Sequence, residues 1–569
     1  MTSKISIAVG VLLSISLVAK AEDVESEFYR ELAARSGVKM EQPAARGIFS
    51  SPPSDGLSLG DISPGCDPRR FEDSVIGKKI SNKQYYSLAK KYFEKCGAEL
   101  SAHGSKGLMG LLKFSYVNYP FLQNPLIKKV QLKIDGAIIP GILALKADPR
   151  PRPFVIVRCG VFCSADEGTS MKSFMMHLFD QSPFNVLLIA NQTGEDYVTT
   201  NGKVSMGGWT EGYETLAVGK WLIEKSEYRD RISSLHMMGI SLGGNGAVIG
   251  AAFNDKYYLD NGRKVFNSVT AICPVVTLRP TLDYLYGNGL VGVVFSEMTR
   301  KHFKNTRYAV KDVPELLTDD KIPWAARSMP AFIGTLGSAA LNKRGVASTP
   351  DSFFKSNNFW NLKEEVKTPL MLWASKDDIV VNEKINTAVV ASNSVYEKSD
   401  YVGAISVPYG THCAFSTAYG DQASAALLRS FVLNNSPEFI DSYDTKQSQT
   451  WTFGFDKMSS SVQHLNQKWT FVANQKLVKV DFKLFLSKAD NSCAVGPQKA
   501  TSAVCFQTKT RWVSISALKD LGARVPKTDI EAQALSREFN TKVEFRVKTG
   551  PLNGTNKSDF FMTWRNHFE

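Results

Sequence analysis

The sequence is poor in the features that mark several classes of protein. Among 569 residues it has seven histidines and eight cysteines, and it contains no paired C-x-x-C or H-x-x-x-H spacing. A zinc site of the common kinds is therefore not indicated. After the first 20 residues no uninterrupted apolar run is long enough to span a bilayer, and no long low-complexity tract occurs. These absences argue against further membrane spans and against a mainly disordered chain.

The first residues have the pattern of an export signal. Lys4 precedes the 14-residue apolar segment Ile5–Val18, and the A-K-A sequence that ends at Ala21 fits the cleavage rule. The apolar segment is short for a bilayer span. No cysteine follows it directly, so a lipid anchor at that point is not indicated. We therefore expect a cleavable signal peptide over residues 1–21 and a secreted or periplasmic protein. An uncleaved anchor is the alternative.

Export would allow the eight cysteines to form disulfides. The pairs expected first, from their proximity in the chain, are Cys66 with Cys96 and Cys493 with Cys505. Eight cysteines allow 105 connectivities, so the pairing of the others is left open. The remaining cysteines are Cys159, Cys163, Cys273 and Cys413.

The basic charge is concentrated near the C-terminus. The formal net charge is +13, and residues Lys446 to Glu569 hold 19 basic and 10 acidic residues, which leaves +9 in this last fifth of the chain. Such an excess suggests contact with an acidic surface, such as envelope lipid, anionic polysaccharide or nucleic acid. We expect no specific recognition of nucleic acid, and the oligomeric state is left open. A solvated basic face is the alternative.

The pattern of apolar residues predicts several regions. Residues 22–127 read as a helical and irregular N-terminal extension. From 128 to 435, apolar strands alternate with helices, which favours a mostly parallel, doubly wound sheet opened by an antiparallel hairpin around Asp135. Within it, residues 277–367 are too long for a crossover and are predicted to form a helical cap. From 450 to 569 the period becomes two, which predicts a C-terminal all-β accessory domain.

A nucleophile motif lies between a predicted strand and a predicted helix. Residues Gly239 to Gly243 read G-I-S-L-G, the G-x-S-x-G pattern that places Ser241 on a tight turn at a helix N-terminus. A serine hydroxyl is a weak nucleophile and needs a base. The free N–H groups at the helix start favour negative charge on a substrate oxygen.

An acid and a base follow in the chain order that this motif requires. Asp377 and Asp378 end the strand in "PLMLWASKDDIVVN", and His412 follows a later strand, 34 residues past Asp378. His412 would take the proton from Ser241, and the aspartate would orient the imidazole. We favour Asp378, because the D-x-V-V pattern starts there, and keep Asp377 as the alternative acid.

With these motifs, residues from about 128 to 432 resemble the α/β-hydrolase superfamily. The family's oxyanion loop usually reads His-Gly-x, whereas here it reads Cys159-Gly160-Val161. The backbone N–H groups of Val161 and Leu242 are the expected oxyanion donors. The resemblance implies the α/β-hydrolase fold and hydrolysis through an acyl-enzyme without a metal or an organic cofactor.

The expected function is that of an exported serine hydrolase, carboxylesterase-like, acting on a small-molecule or lipid-like ester. The aromatic cap would select an apolar acyl group, and the basic C-terminal domain would contact the acidic surface. Two alternatives stay open, a serine peptidase or aminopeptidase with the same machinery, and a binding protein whose catalytic residues are no longer used.

Overall fold

The computed structural model describes residues 63–107 and 127–442, with short internal gaps, and six strands beyond residue 463. The gaps fall at residues 64, 103, 105, 147–148, 166–173, 176–177, 180–181, 363–365 and 394–398. The expected signal peptide and Cys493, which is expected to pair with Cys505, lie outside the described residues.

Eight strands form one central sheet. They are β1 (Ile127–Ile134), β2 (Ala137–Ala144), β3 (Arg152–Arg158), β4 (Asn185–Ile189), β5 (Ile232–Ile240), β6 (Ser268–Ile272), β7 (Leu370–Ser375) and β8 (Val402–Val407). Their order is β1-β2-β4-β3-β5-β6-β7-β8. Strand β2 is antiparallel to both of its neighbours, β1 and β4. The six strands β3 to β8 are parallel to one another. This is the sheet of the α/β-hydrolase fold, and it confirms the predicted fold class.

Helices precede, connect and follow these strands. They are α1 (Pro68–Asp73), α2 (Asn82–Leu100), α3 (Glu195–Asn201), α4 (Gly208–Glu224), α5 (Leu242–Asn261), α6 (Leu278–Gly287), α7 (Gly289–Thr306), α8 (Met329–Asn342), α9 (Pro350–Ser356), α10 (Thr387–Ala391), α11 (Phe415–Tyr419), α12 (Asp421–Asn434) and α13 (Pro437–Ser442). Every residue of β3, β4, β6 and β7 is buried, as expected for strands covered on both faces.

The predicted hairpin opens the sheet at its edge. Ile134 pairs with Ala137, and the two residues between them, Asp135 and Gly136, have φ of 49° and 75°. Positive φ at both central residues is the requirement of a type I′ turn, which matches the twist of the flanking strands. The Asp-Gly signal in the sequence therefore identified this hairpin correctly.

The segment before the sheet packs against its far edge. Helix α2 begins with a capping box in which Ser81 and Gln84 exchange hydrogen bonds. Its Tyr86 ring lies directly over Gly403 of β8, where a Cβ would be only 2.1 Å from the ring. The predicted disulfide between Cys66 and Cys96 is present and ties the start of this segment to α2.

Helices α6 to α9 occupy the chain between β6 and β7. Their buried apolar side chains form a cluster with residues that follow β5 and β7 at the carboxyl ends of the strands. The cluster includes Leu242, Leu278, Leu282, Ile333 and Val380. These helices therefore lie over the edge of the sheet at which Ser241 is placed.

The strands beyond residue 463 form two antiparallel groups. They are β9 (His464–Ala473), β10 (Lys476–Leu486), β11 (Val504–Gln507), β12 (Trp512–Ser514), β13 (Thr541–Val547) and β14 (Phe560–Asn566). The first four pair in the order β12-β11-β10-β9, and the last two pair with each other. The all-β accessory domain as a unit stays a prediction. In the part of the chain that the structure describes, no helix has both the length and the apolar character to cross a membrane.

Candidate active site

Ser241 lies on a strained turn between β5 and α5. Its backbone has φ 58° and ψ −117°, in a region that non-glycine residues rarely occupy and that costs about 1–3 kcal/mol. A Cβ on Gly239 would lie 2.1 Å from the Gly243 carbonyl oxygen, and a Cβ on Gly243 would lie 2.4 Å from the Cys159 carbonyl oxygen. Glycine at both positions is therefore a steric requirement of the turn that presents the serine.

Ser241, His412 and Asp378 form a continuous hydrogen-bonded series. The distance from His412 Nε2 to Ser241 Oγ is 2.9 Å, and the distance from His412 Nδ1 to Asp378 Oδ2 is also 2.9 Å. The other carboxylate oxygen of Asp378 accepts the N–H groups of Val380 and Val381, each at 2.8 Å. Because a carboxylate only accepts, the imidazole proton belongs on Nδ1, which leaves Nε2 free to accept the Ser241 hydroxyl.

Asp377 contacts the histidine loop and not the imidazole ring. Its Oδ1 accepts the N–H of Thr411 at 2.7 Å. The Ser375 hydroxyl donates to the Thr411 carbonyl at 2.6 Å. These two contacts fix the residue before His412, so the two adjacent aspartates contact different parts of the same loop.

The loop after β3 passes beside the serine. A Cβ added to Gly160 would lie 3.2 Å from Ser241 Cβ and 3.7 Å from Ser241 Oγ. Val161 is the next residue of this loop, and Leu242 is the first residue of α5, whose N–H has no partner within the helix. Among the described residues neither of these two N–H groups has a protein acceptor. Both are therefore available to stabilise negative charge on an oxygen beside Ser241.

Residues that follow β4 hold this loop in place. Asn191 donates its side-chain N–H to the Cys159 carbonyl at 3.1 Å, and Thr193 Oγ1 accepts the Phe162 N–H at 2.7 Å. A disulfide between Cys159 and Cys163 closes the loop. The sequence analysis did not single out Asn191 or Thr193. The sequence offers only a weak signal for these two residues, because all that marks them is that they are polar and closely follow a buried parallel strand.

A buried network of charged groups lies behind the loop. Arg158, the last residue of β3, is fully buried and forms an ion pair with Glu214 at 2.7 Å. Its guanidinium also donates to the Ala190 carbonyl at 2.6 Å, and the Tyr197 hydroxyl donates to Glu214 at 2.6 Å. Glu211, on the same helix as Glu214, is fully buried, and burial raises its pKa to about 8. The network joins β3, β4, α3 and α4 below the site.

Three potential metal ligands lie close together beside the serine. Sulfur atoms of Cys273 and Cys413 and a ring nitrogen of His412 lie within 4.8 Å of one another. The two sulfur atoms are joined in a disulfide, so they are not the thiolates that bind metal ions. Both nitrogens of His412 are engaged by Ser241 and Asp378. The arrangement is therefore better described as a histidine held beside a disulfide.

Comparisons with known proteins add distant structural neighbours. No protein-family model and no curated protein matches the sequence. Solved structures similar to this chain include an esterase from Pyrococcus furiosus, with 15% identity, 55% of this chain and 93% of that chain covered, and a TM-score of 0.35. An esterase from Pyrobaculum calidifontis has 14% identity, coverage of 67% and 99%, and a TM-score of 0.32.

Oligopeptidase B from Trypanosoma brucei is also similar, with 14% identity, a TM-score of 0.35, and coverage of 56% of this chain and 38% of that chain. The fold assignment itself follows from the strand order of the sheet.

Proposed function

We propose that the protein is an exported serine hydrolase that cleaves carboxylic esters through an acyl-enzyme. The observation that carries this proposal is the hydrogen-bonded series of Ser241, His412 and Asp378 at the carboxyl edge of the sheet. An imidazole that accepts a serine hydroxyl, while a buried carboxylate accepts its other N–H, is the arrangement that activates serine for attack on a carbonyl. The strained turn that presents Ser241 supports the same assignment.

Each group has a defined role in the proposed reaction. Ser241 Oγ attacks the ester carbonyl carbon as His412 Nε2 takes its proton, and His412 then gives that proton to the leaving alcohol. The N–H groups of Val161 and Leu242 stabilise the oxygen that becomes negative. Asp378 keeps the imidazole in the required tautomer and stabilises its charged form. Water then attacks the acyl-enzyme by the same route and releases the acid.

The surroundings of the serine support an apolar acyl group. The side chains of Val161, Phe162 and Leu242 belong to or pack against the apolar cluster that helices α6 to α9 form over the site. A chain of methylene groups placed there would gain about 0.8 kcal/mol for each CH₂ removed from water. We therefore propose a small-molecule or lipid-like ester as the substrate.

Disulfides support the export that the N-terminal pattern predicts. Such bonds persist mainly in oxidising compartments outside the cytoplasm. The described residues contain Cys66–Cys96, Cys159–Cys163 and Cys273–Cys413. We further propose that the basic segment from Lys446 to Glu569 contacts an anionic surface or polysaccharide, and its binding should then weaken with salt.

Labelling of the protein by a fluorophosphonate probe tests the proposed function. The chain from Glu22 onward should be labelled, peptide mapping should place the label on Ser241, and Ser241→Ala should remove it. A panel of nitrophenyl esters of increasing acyl length, set against amino-acyl and dipeptidyl amides, then identifies the bond that is cleaved. Higher kcat/KM on the amides would support the peptidase alternative. A folded wild-type protein that is not labelled would support the retired binding protein.

A further inference from the structure

The Cys273–Cys413 disulfide joins the segment that hydrogen-bonds to the backbone of Ser241 to the loop that presents His412. Cys273 directly follows β6, and Cys413 directly follows His412. The two cysteines are 140 residues apart in the sequence, and their Cα atoms are 5.4 Å apart. The disulfide therefore makes a covalent connection one residue away from the imidazole.

The Cys273 end of this connection lies in the segment that holds the backbone of Ser241. The Ser241 N–H donates to the Ile272 carbonyl at 2.9 Å, and the Val275 N–H donates to the Ser241 carbonyl at 3.3 Å. These two hydrogen bonds lie on either side of Cys273 in the sequence. A displacement of Cys273 would therefore be transmitted to the nucleophile turn.

The Cys413 end lies in a backbone conformation that needs external support. Thr411 and Cys413, on either side of His412, have φ of 39° and 63°, and Cys273 has φ of 41°. Non-glycine residues keep such conformations only where surrounding contacts enforce them. A hydrogen bond to Asp377 holds Thr411. The disulfide supplies a covalent restraint on the other side of the histidine.

We propose that Cys273 and Cys413 form a positioning pair, which holds His412 Nε2 at 2.9 Å from Ser241 Oγ. The inference rests on the proposed hydrolase function. A general base must lie within about 2.6–3.2 Å of the group whose proton it takes, so a shift of about 1 Å is enough to slow the reaction. Both cysteines are buried, so the bridge is a permanent restraint and not a switch operated by thiols in solution.

The double variant C273A/C413A tests the pair, and C66A/C96A is the matched control. The control removes a disulfide that joins the start of the segment before the sheet to α2, away from the site. For each protein, kcat and KM on a short-chain nitrophenyl ester and the rate of fluorophosphonate labelling are measured well below its own Tm. We expect kcat and the labelling rate of C273A/C413A to fall at least roughly 30-fold, with KM within about threefold of the wild type. The control should lose Tm but keep kcat within about twofold.

A folded C273A/C413A that keeps kcat and the labelling rate of the wild type would overturn the proposal and leave the disulfide a stabilising role only. A loss seen in KM alone would also count against it. If the alanine pair does not fold, C273S/C413S, whose side chains are nearest to cysteine in size and are not β-branched, replaces it. Failure of both pairs to fold would likewise assign the bond to stability. A wild-type protein that the probe does not label would instead refute the proposed function.

Discussion

The two adjacent aspartates provide the sharpest test of the site. Replacing Asp378 by Asn changes no volume but reverses a hydrogen bond. The amide oxygen must keep accepting the N–H groups of Val380 and Val381, which leaves the amide NH₂ facing His412 Nδ1. A donor at that position forces the imidazole proton onto Nε2. A protonated Nε2 can no longer accept a hydrogen bond from the Ser241 hydroxyl. We therefore expect Asp378→Asn to lose catalysis while the fold is retained.

The expected magnitude is large. Loss of the correct tautomer in a serine hydrolase lowers kcat by about 10⁴-fold, which corresponds to about 5.5 kcal/mol of transition-state stabilisation. The side chain of Asp378 is 1% exposed, so water cannot easily replace the lost acceptor. Steady-state kinetics on a soluble ester, with circular dichroism to show that the variant is folded, measures this loss.

Asp377→Asn is the matched control. Its amide oxygen can still accept the Thr411 N–H, so only the contribution of the charge is lost. That contribution is about 1 kcal/mol, or roughly a fivefold change in kcat. Equal losses in the two variants, or an Asp378→Asn protein within tenfold of the wild type, would refute the assignment of the acid to Asp378.

Three further predictions concern the surroundings of the site. Burial raises the pKa of Glu211 from 4.5 to about 8, so folding favours the neutral acid. The stability that this carboxyl group contributes is fully present below pH 4.5 and is lost as the pH rises towards 8. The free energy of unfolding should fall by up to about 1.4 kcal/mol per pH unit between pH 4.5 and 8. Glu211→Gln should flatten this part of the curve of Tm against pH, and parallel curves for the variant and the wild type would contradict the prediction. Gly160→Ala places a Cβ 3.2 Å from Ser241 Cβ and should lower kcat about 10–100-fold with Tm little changed, whereas wild-type kinetics would show that the loop has room. Arg158→Met leaves the buried Glu214 carboxylate without its cationic partner and should cost about 3–5 kcal/mol in urea denaturation. A loss below about 1 kcal/mol would show that the ion pair is dispensable.

Local patterns in the sequence predicted most of the fold. The Asp135-Gly136 turn, the apolar strands and the G-x-S-x-G sequence each depend on backbone conformations that short segments specify on their own. Alternation of strands and helices was enough to predict a parallel sheet, because parallel strands need helical crossovers. The carboxyl ends of such strands lie at one edge, so the serine, the aspartates and His412 were predicted to be near one another.

Contacts between distant segments were not available in the sequence. The choice between Asp377 and Asp378 depends on where one peptide turn points each carboxylate. The pairing of Cys273 with Cys413 crosses 140 residues, and composition gives no information on it. Asn191 and Thr193 act on a loop that lies about 30 residues away, through hydrogen bonds that leave no regular spacing.

The sequence by itself determined the class of fold, the residue types of the site and their order along the chain, because periodicity and turn chemistry are local properties. Only the tertiary structure decided which aspartate contacts the imidazole, which cysteines are joined and which polar groups support the loop beside Ser241. These features need contacts between segments far apart in the chain to be correct to within a few tenths of an ångström, and such distances are set when the whole core packs.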